Sequence, residues 1–385
     1  MTKHHGVMTT FLYALAIAAL PSPAVAGDPI VGIKTAADVE AKRAALVHYI
    51  WGTVWADVLT RKPTVQSPYT PVPADALPSV SNVKSIEALV ITMSLPALTG
   101  GSPIVHTSTA YLYHPQSPNG RVVVVHHGHS CVFDGSDGPY NLDKAIQDLV
   151  AANYAVVAMK MPLCQQPSQC GSDAISKSHD DMFTDPQRLR TGSPLQFFLE
   201  PIAQTLNYIQ SKYPDTYHDF NMLGFSGGGW TTTIYSALDP RITLSFPVAG
   251  SVPLDLPMGI GGRDTEQNLP AFYDLAGYRD LYIMGSFGRN RRQTQILNHK
   301  DSCCFVPPDQ DAFDYACQVQ SRLSSLGPGA FTLDYDDTST SHQISLAALS
   351  AVILPTLKAG SAGVAPGSCS SRDEASKVMK KAQEF

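Results

Sequence analysis

Several common signals are missing from this 385-residue chain, and each absence excludes a class of function. Basic clusters are scarce: Arg289, Arg291 and Arg292 form the only one, and the formal net charge is -6. A polyanion groove is therefore excluded, so no nucleic-acid partner is expected. The short cluster reads as a solvated turn or as the partner of a local carboxylate. No apolar run reaches the ~20 residues needed to span a bilayer. No CxxC pair and no HExxH motif is present, so the usual zinc signatures are missing. No Lys-Ser/Thr pair follows a glycine loop and no GxGxxG spacing occurs, which removes the phosphate-cradling motifs. There is no internal repeat, and hence no propeller or solenoid.

What is present begins with an export signal. Lys3 precedes an apolar run from Phe11 to Leu20, broken by Pro21-Ser22-Pro23 and followed by the small-residue site Ala24-Val25-Ala26. The mature chain is expected to start near Gly27 and to work in the periplasm or outside the cell, with no membrane span. Seven cysteines suit that oxidising compartment. Cys164 and Cys170 are close enough to staple one loop, Cys303 or Cys304 could reach Cys317, and Cys131 and Cys369 remain.

Downstream of the leader, Thr35 to Leu59 reads as a helix capped by Thr35, and the proline-rich stretch Pro63 to Pro78 as extended chain or loop. Short apolar runs then alternate with helical periodicity, the pattern of an α/β sheet. Strands are expected at Ile86 to Met93, Thr107 to Tyr113, Arg121 to His126, Tyr154 to Met159, Phe220 to Phe225, Thr243 to Val248, Thr294 to Leu297 and Phe331 to Tyr335. The unbroken runs Val122 to Val125 and Ala155 to Ala158 indicate interior parallel strands covered on both faces. Helical periodicity is found over Asn141 to Ala151, Pro201 to Lys212 and Ile344 to Leu354. One catalytic domain over residues 81–358 is expected, with a small lid near 254–278 and a flexible tail over 359–385, rich in Gly, Ala and Ser from Ala359 to Ser371 and charged at its end.

The chemistry centres on Gly224-Phe225-Ser226-Gly227-Gly228. An apolar strand runs into a tight turn, and a helix-capable segment follows from Thr231 to Leu238. A serine on such a turn projects its hydroxyl above the sheet, and glycines two before and two after remove colliding Cβ atoms. In this context the chain resembles the α/β-hydrolase superfamily from about Glu87 to Leu357. More narrowly, it resembles a group of bacterial secreted hydrolases through His127-Gly128-His129, Phe198-Leu199-Glu200-Pro201, Ser226-Gly227-Gly228-Gly229-Trp230-Thr231-Thr232 and Asn298-His299-Lys300-Asp301-Ser302-Cys303-Cys304-Phe305.

The resemblance implies a mostly parallel eight-stranded sheet with helices on both faces and the order Ser, acid, His. His179, His218, His299 and His342 are the candidate bases. His342 fits best, following the last strand and a polar loop. Asp301, on the turn after the preceding strand, is the expected acid, with Asp274, Asp280 and Asp336 as rivals. The resemblance places the oxyanion hole at the main-chain N–H groups of Gly227 and His129. A metal held by His127 and His129 is the rejected alternative, and neither metal nor cofactor is called for. Trp230 is read as core packing.

These residues predict a secreted serine hydrolase acting on a small-molecule or polymeric carboxylic ester. The sequence sets no oligomeric state. A peptidase or amidase of the prolyl-oligopeptidase-like type, or an inactive binding protein on the same scaffold, is the alternative.

Overall fold

A computed structural model describes residues 32–96, 103–129, 132–136, 138, 140–163, 179–184, 189, 191–259 and 262–360. The leader, Cys131, Cys164, Cys170, Cys369, most of residues 161–190 and the tail beyond 360 lie outside the described residues.

The chain opens with α1 (Ala36–Trp51), started by a capping box between Thr35 and Asp38. The single expected helix stops at Gly52, whose φ of 66° and N–H bond to the His48 carbonyl (2.7 Å) end it in the left-handed region. A short α2 (Trp55–Val58) follows. The proline-rich stretch then contributes β1 (Thr64–Gln66), which pairs antiparallel with β2 (Val83–Leu95). This edge strand makes the sheet nine-stranded where eight strands were expected.

The remaining elements alternate. In order they are β3 (Ile104–Pro115), β4 (Arg121–His126), α3 (Leu142–Ala151), β5 (Ala155–Met159), α4 (His179–Thr184), α5 (Gln196–Lys212), β6 (Asp219–Phe225), α6 (Gly227–Leu238) and β7 (Ile242–Val248). Then come α7 (Pro270–Tyr273), α8 (Tyr278–Ser286), β8 (Arg292–Asn298), α9 (Asp309–Leu326), β9 (Ala330–Asp336) and α10 (Leu354–Ala359). All eight expected strands are present, several longer than periodicity alone marks. Helix α5 begins five residues before Pro201, and α6 begins at Gly227, directly after the serine.

The sheet order is β1-β2-β3-β5-β4-β6-β7-β8-β9. The six strands from β5 to β9 are parallel, while β1, β2 and β3 run antiparallel at one side. Every residue of β5 and the five residues Val122–His126 of β4 are buried, as the apolar runs require. From β4 the chain winds one way to β5 and the other way to β6. The carboxyl ends of β4 and β6 are therefore a topological switch point, where an open α/β sheet leaves a crevice. The turns after these two strands carry His127-Gly128-His129 and Ser226.

Helix α6 fixes one wall of that crevice, and its far end is closed by two arginines from elsewhere in the chain. No basic residue lies in its own last turn. Arg43 of α1 donates to the Ala237 carbonyl (3.1 Å), and Arg291 donates to the Ser236 carbonyl. Arg291 also donates to the carbonyls of Ile242 (3.0 Å), Met284 (2.8 Å) and Phe287 (3.0 Å). Apart from Ile242, the first residue of β7, these carbonyls belong to the last turns and caps of α6 and α8, where helices leave them unpaired. Arg291 and Arg292 are thus buried rather than in a solvated turn, and Arg291 has backbone carbonyls for partners instead of a carboxylate. Only a planar guanidinium with several fixed donors can serve so many acceptors at once. Arg291→Lys should therefore destabilise the fold by about 3 kcal/mol, measured as a lower urea midpoint with an unchanged m-value. An unchanged midpoint would show that water replaces these bonds without loss.

Candidate active site

Ser226 sits at the apex between β6 and α6 with φ 56° and ψ -124°. That conformation is strained for an L-residue, and the surroundings enforce it. Its N–H donates to the Val248 carbonyl (2.9 Å), and its carbonyl accepts the Trp230 N–H (3.0 Å). A Cβ on Gly224 would lie 2.0 Å from the Gly228 carbonyl oxygen, and one on Gly228 would lie 2.1 Å from that of His126. The backbones of β4, β6 and α6 therefore touch where the two glycines flank the serine. Trp230 is fully buried, donates to the Tyr273 hydroxyl (2.8 Å) and stands edge-on to Phe198, so it is core.

His342 lies on the loop after β9. Its Nε2 is 2.9 Å from Ser226 Oγ, and its Nδ1 is 2.9 Å from Asp301 Oδ2. An ionised carboxylate only accepts, so Nδ1 carries the hydrogen and Nε2 accepts the serine hydroxyl. The Asp301 side chain is fully buried and that of His342 is 17% exposed. Burial opposes the charge on Asp301, but His342, the Cys303 N–H and Asn298 outweigh it and lower the carboxyl pKa. The N–H groups of Cys303 (2.8 Å) and Cys304 (3.2 Å) both donate to Asp301 Oδ1. These two cysteines are bonded to each other, which replaces the expected link from one of them to Cys317.

The rival groups are engaged elsewhere. Asp280 accepts the Ile33 N–H (3.0 Å) and pairs with Lys42 (3.0 Å), while Asp336 accepts from Thr338 (2.7 Å). Asp274 directly follows α7, away from this chain of hydrogen bonds. His299 pairs with Asp309 (2.8 Å) and Asp337, and His218 packs beside Gly120. Glu200, in a stretch that carries the resemblance, is structural: Trp51 (2.7 Å) and Arg61 (2.9 Å) donate to it.

Asn298, at the end of β8, had no assigned role. Its amide donates to Asp301 Oδ2 (3.0 Å) and to the carbonyls of Ser341 (3.3 Å) and Gln343 (2.9 Å). One buried side chain thus ties the loop of Asp301 to both neighbours of His342. Its sequence signal was its place in the Asn298–Phe305 stretch, without a function attached.

Gly128 presses the loop after β4 against the serine turn: a Cβ there would be 2.8 Å from Ser226 Cβ and 3.0 Å from the Gly227 nitrogen. Burial pushes His126 down to about 4 and His127 to about 3, so both rings are neutral. His127 packs edge-on against Phe133 and Tyr140, so it does not pair with His129. The His129 ring and Met161 instead cover Gly227, and the ring reaches two residues that the sequence did not connect with it. His129 Nε2 is 3.1 Å from His179 Nδ1 and 3.4 Å from Glu266 Oε1. Burial works against charge on Glu266, yet His129 and His179 hold its carboxyl down to about 2. Burial also opposes charge on His129, but Glu266 and Asp264 overcome it and raise the ring's pKa. A cavity of about 340 Å³ lies beyond Met161, walled by Tyr69, Asp75, His106, Tyr111 and Lys160. Met161 lines it and also touches the serine turn at Gly227.

No protein-family model and no curated protein matches the sequence. Solved structures do match. The methylesterase BT1017 is 14% identical and aligns over 90% of this chain and 74% of its own, with a TM-score of 0.50. The Pyrococcus furiosus esterase Pf2001 is 10% identical over 84% of this chain and 99% of its own, with a TM-score of 0.42. Est1E from Butyrivibrio proteoclasticus is 14% identical over 76% and 99%, with a TM-score of 0.38. At these identities the likeness is one of fold, and the chain has the α/β-hydrolase fold.

The Asp301 carboxylate gives a pH prediction. Its pKa is lowered on folding from the ordinary 3.8, so its contribution to stability is present above about pH 4 and fades as pH falls through the native value. Asp301→Asn should lower Tm clearly at pH 7, and the difference from wild type should vanish in strong acid. A difference independent of pH would show that the charge is not what the site holds.

Proposed function

We propose that the protein is a serine hydrolase that cleaves carboxylic esters through an acyl-serine intermediate. The observation that carries this reading is the continuous hydrogen-bonded chain from Ser226 through His342 to Asp301. Ser226 Oγ attacks the ester carbonyl carbon while His342 Nε2 takes its proton. Asp301 holds the imidazole in the required tautomer and stabilises the imidazolium that forms. His342 then protonates the leaving alkoxide, which departs as the alcohol. Water, deprotonated by the same nitrogen, attacks the acyl-serine and releases the acid.

The developing oxyanion needs main-chain donors, each worth about 3 kcal/mol. Gly227 supplies one from the first position of α6, where helix N–H groups are unpaired by geometry. His129 supplies the other through its backbone, on the loop that Gly128 brings against Ser226. The leader sequence fits work in the periplasm or outside the cell. No helix among the described residues is long and apolar enough to cross a membrane.

A fluorophosphonate probe should label wild type at one site and leave Ser226→Ala unlabelled. Against p-nitrophenyl esters of increasing acyl length, Ser226→Ala and His342→Ala should each lose at least about 10⁴-fold in kcat. An undiminished adduct on Ser226→Ala would overturn the assignment.

A further inference from the structure

We infer that His129, His179 and Glu266 form a binding site for one divalent transition-metal ion of the zinc type, beside the serine turn. Three side-chain atoms converge there from three separate segments: the loop after β4, the first residue of α4, and the turn Thr265–Asn268 that precedes α7. The edges of the triangle they form are 3.1 Å (His129 Nε2 to His179 Nδ1), 3.3 Å (His179 Nδ1 to Glu266 Oε1) and 3.4 Å (His129 Nε2 to Glu266 Oε1). Ligands held about 2.0–2.1 Å from a tetrahedral zinc are spaced about 3.3 Å from one another. The observed triangle already has that size.

The direction of the hydrogen bonds supports the same reading. His179 Nε2 lies 3.1 Å from the Pro162 carbonyl, which can only accept, so that nitrogen carries a hydrogen. In the neutral ring Nδ1 then bears a lone pair, and it faces a carboxylate oxygen that also only accepts. Two acceptors facing each other at 3.3 Å call for positive charge between them, which a bound metal ion or a ring proton supplies. A backbone carbonyl holding the far nitrogen of a histidine is also the support that metal-bound imidazoles use to fix their tautomer. Glu266 is fully buried, and its Oε2 has no hydrogen-bond partner among the described residues. The second oxygen is thus available to the same ion. Asp264 Oδ2, 3.5 Å from His129 Nε2, lies at the edge of this group of three.

Two imidazoles with one carboxylate suit zinc or cobalt(II), whereas magnesium and calcium prefer oxygen alone. The ion would tie the loop after β4 to α4 and to the 265–268 turn. This assignment departs from the sequence reading, which called for no metal.

The test uses tag-free full-length protein, freed of metal by chelation and titrated with cobalt(II) and with zinc. Wild type should take up one equivalent of cobalt(II) with visible bands of a four-coordinate ion, and zinc should displace it. His129→Ala, whose side chain is 40% exposed and so tolerates truncation, should weaken zinc binding about 100-fold or more by calorimetry, and Glu266→Gln should do the same. Ser226→Ala should bind as wild type does, which separates this site from the proposed hydrolysis. His342→Ala should also bind normally. If it did not, the metal would lie at the neighbouring Cys303, Cys304 and His342 cluster, and the proposal would fail. Absence of stoichiometric uptake by wild type, or unchanged affinity in His129→Ala, would equally overturn it and leave a protonated histidine pair as the cation that the carboxylate faces.

Discussion

Backbone contact between β4, β6 and α6 is the constraint on which the site depends. These elements meet at van der Waals distance only because Gly224 and Gly228 carry no side chain. The meeting forces Ser226 into its strained conformation and delivers the Gly128 loop against the Gly227 nitrogen. Everything chemical then follows from position. A hydroxyl stands above the sheet edge, a helix begins beneath it, and a loop with further N–H groups lies alongside. The local cost in backbone strain is of order 1–3 kcal/mol and is met by packing in a fully buried helix.

The second support is polar and comes from the other side. Asp301 must stay charged inside the protein, and it does so because four donors face it: His342, Asn298 and the N–H groups of Cys303 and Cys304. A half-satisfied buried network would be worse than none. Here each oxygen has two partners, so the carboxylate is a rigid anchor for the imidazole. Asn298 extends the anchor to the carbonyls on both sides of His342, and the imidazole consequently has little freedom to turn from the serine.

The legibility of these features in the sequence follows how local they are. The strands and the serine turn were visible because hydrophobic runs and glycine spacing act over a few residues. His342 and Asp301 were singled out through the resemblance, which implies their order after the serine and their places after particular strands without any contact being known. Other features depend on contacts between residues far apart. His179 meets Glu266 across 87 positions and His129 across 50, and no spacing rule connects them. Arg291 looked like a surface charge because composition cannot distinguish water from backbone carbonyls as its partner. The bond between Cys303 and Cys304 was missed for the opposite reason: adjacency made each look for a partner further away. Strand β1 was obscured by the prolines around it, which are compatible with an edge strand and with a loop alike.

The two arginines that close α6 carry a kinetic meaning. Arg43 reaches Ala237 across 194 positions, and Arg291 reaches back to Ser236 across 55. The helix beneath Ser226 is thus finished by residues that flank it widely in the chain, and the entropy of closing those loops falls due before the last carbonyls gain their donors. A chain growing from its amino end holds this helix incomplete until Arg291 has emerged.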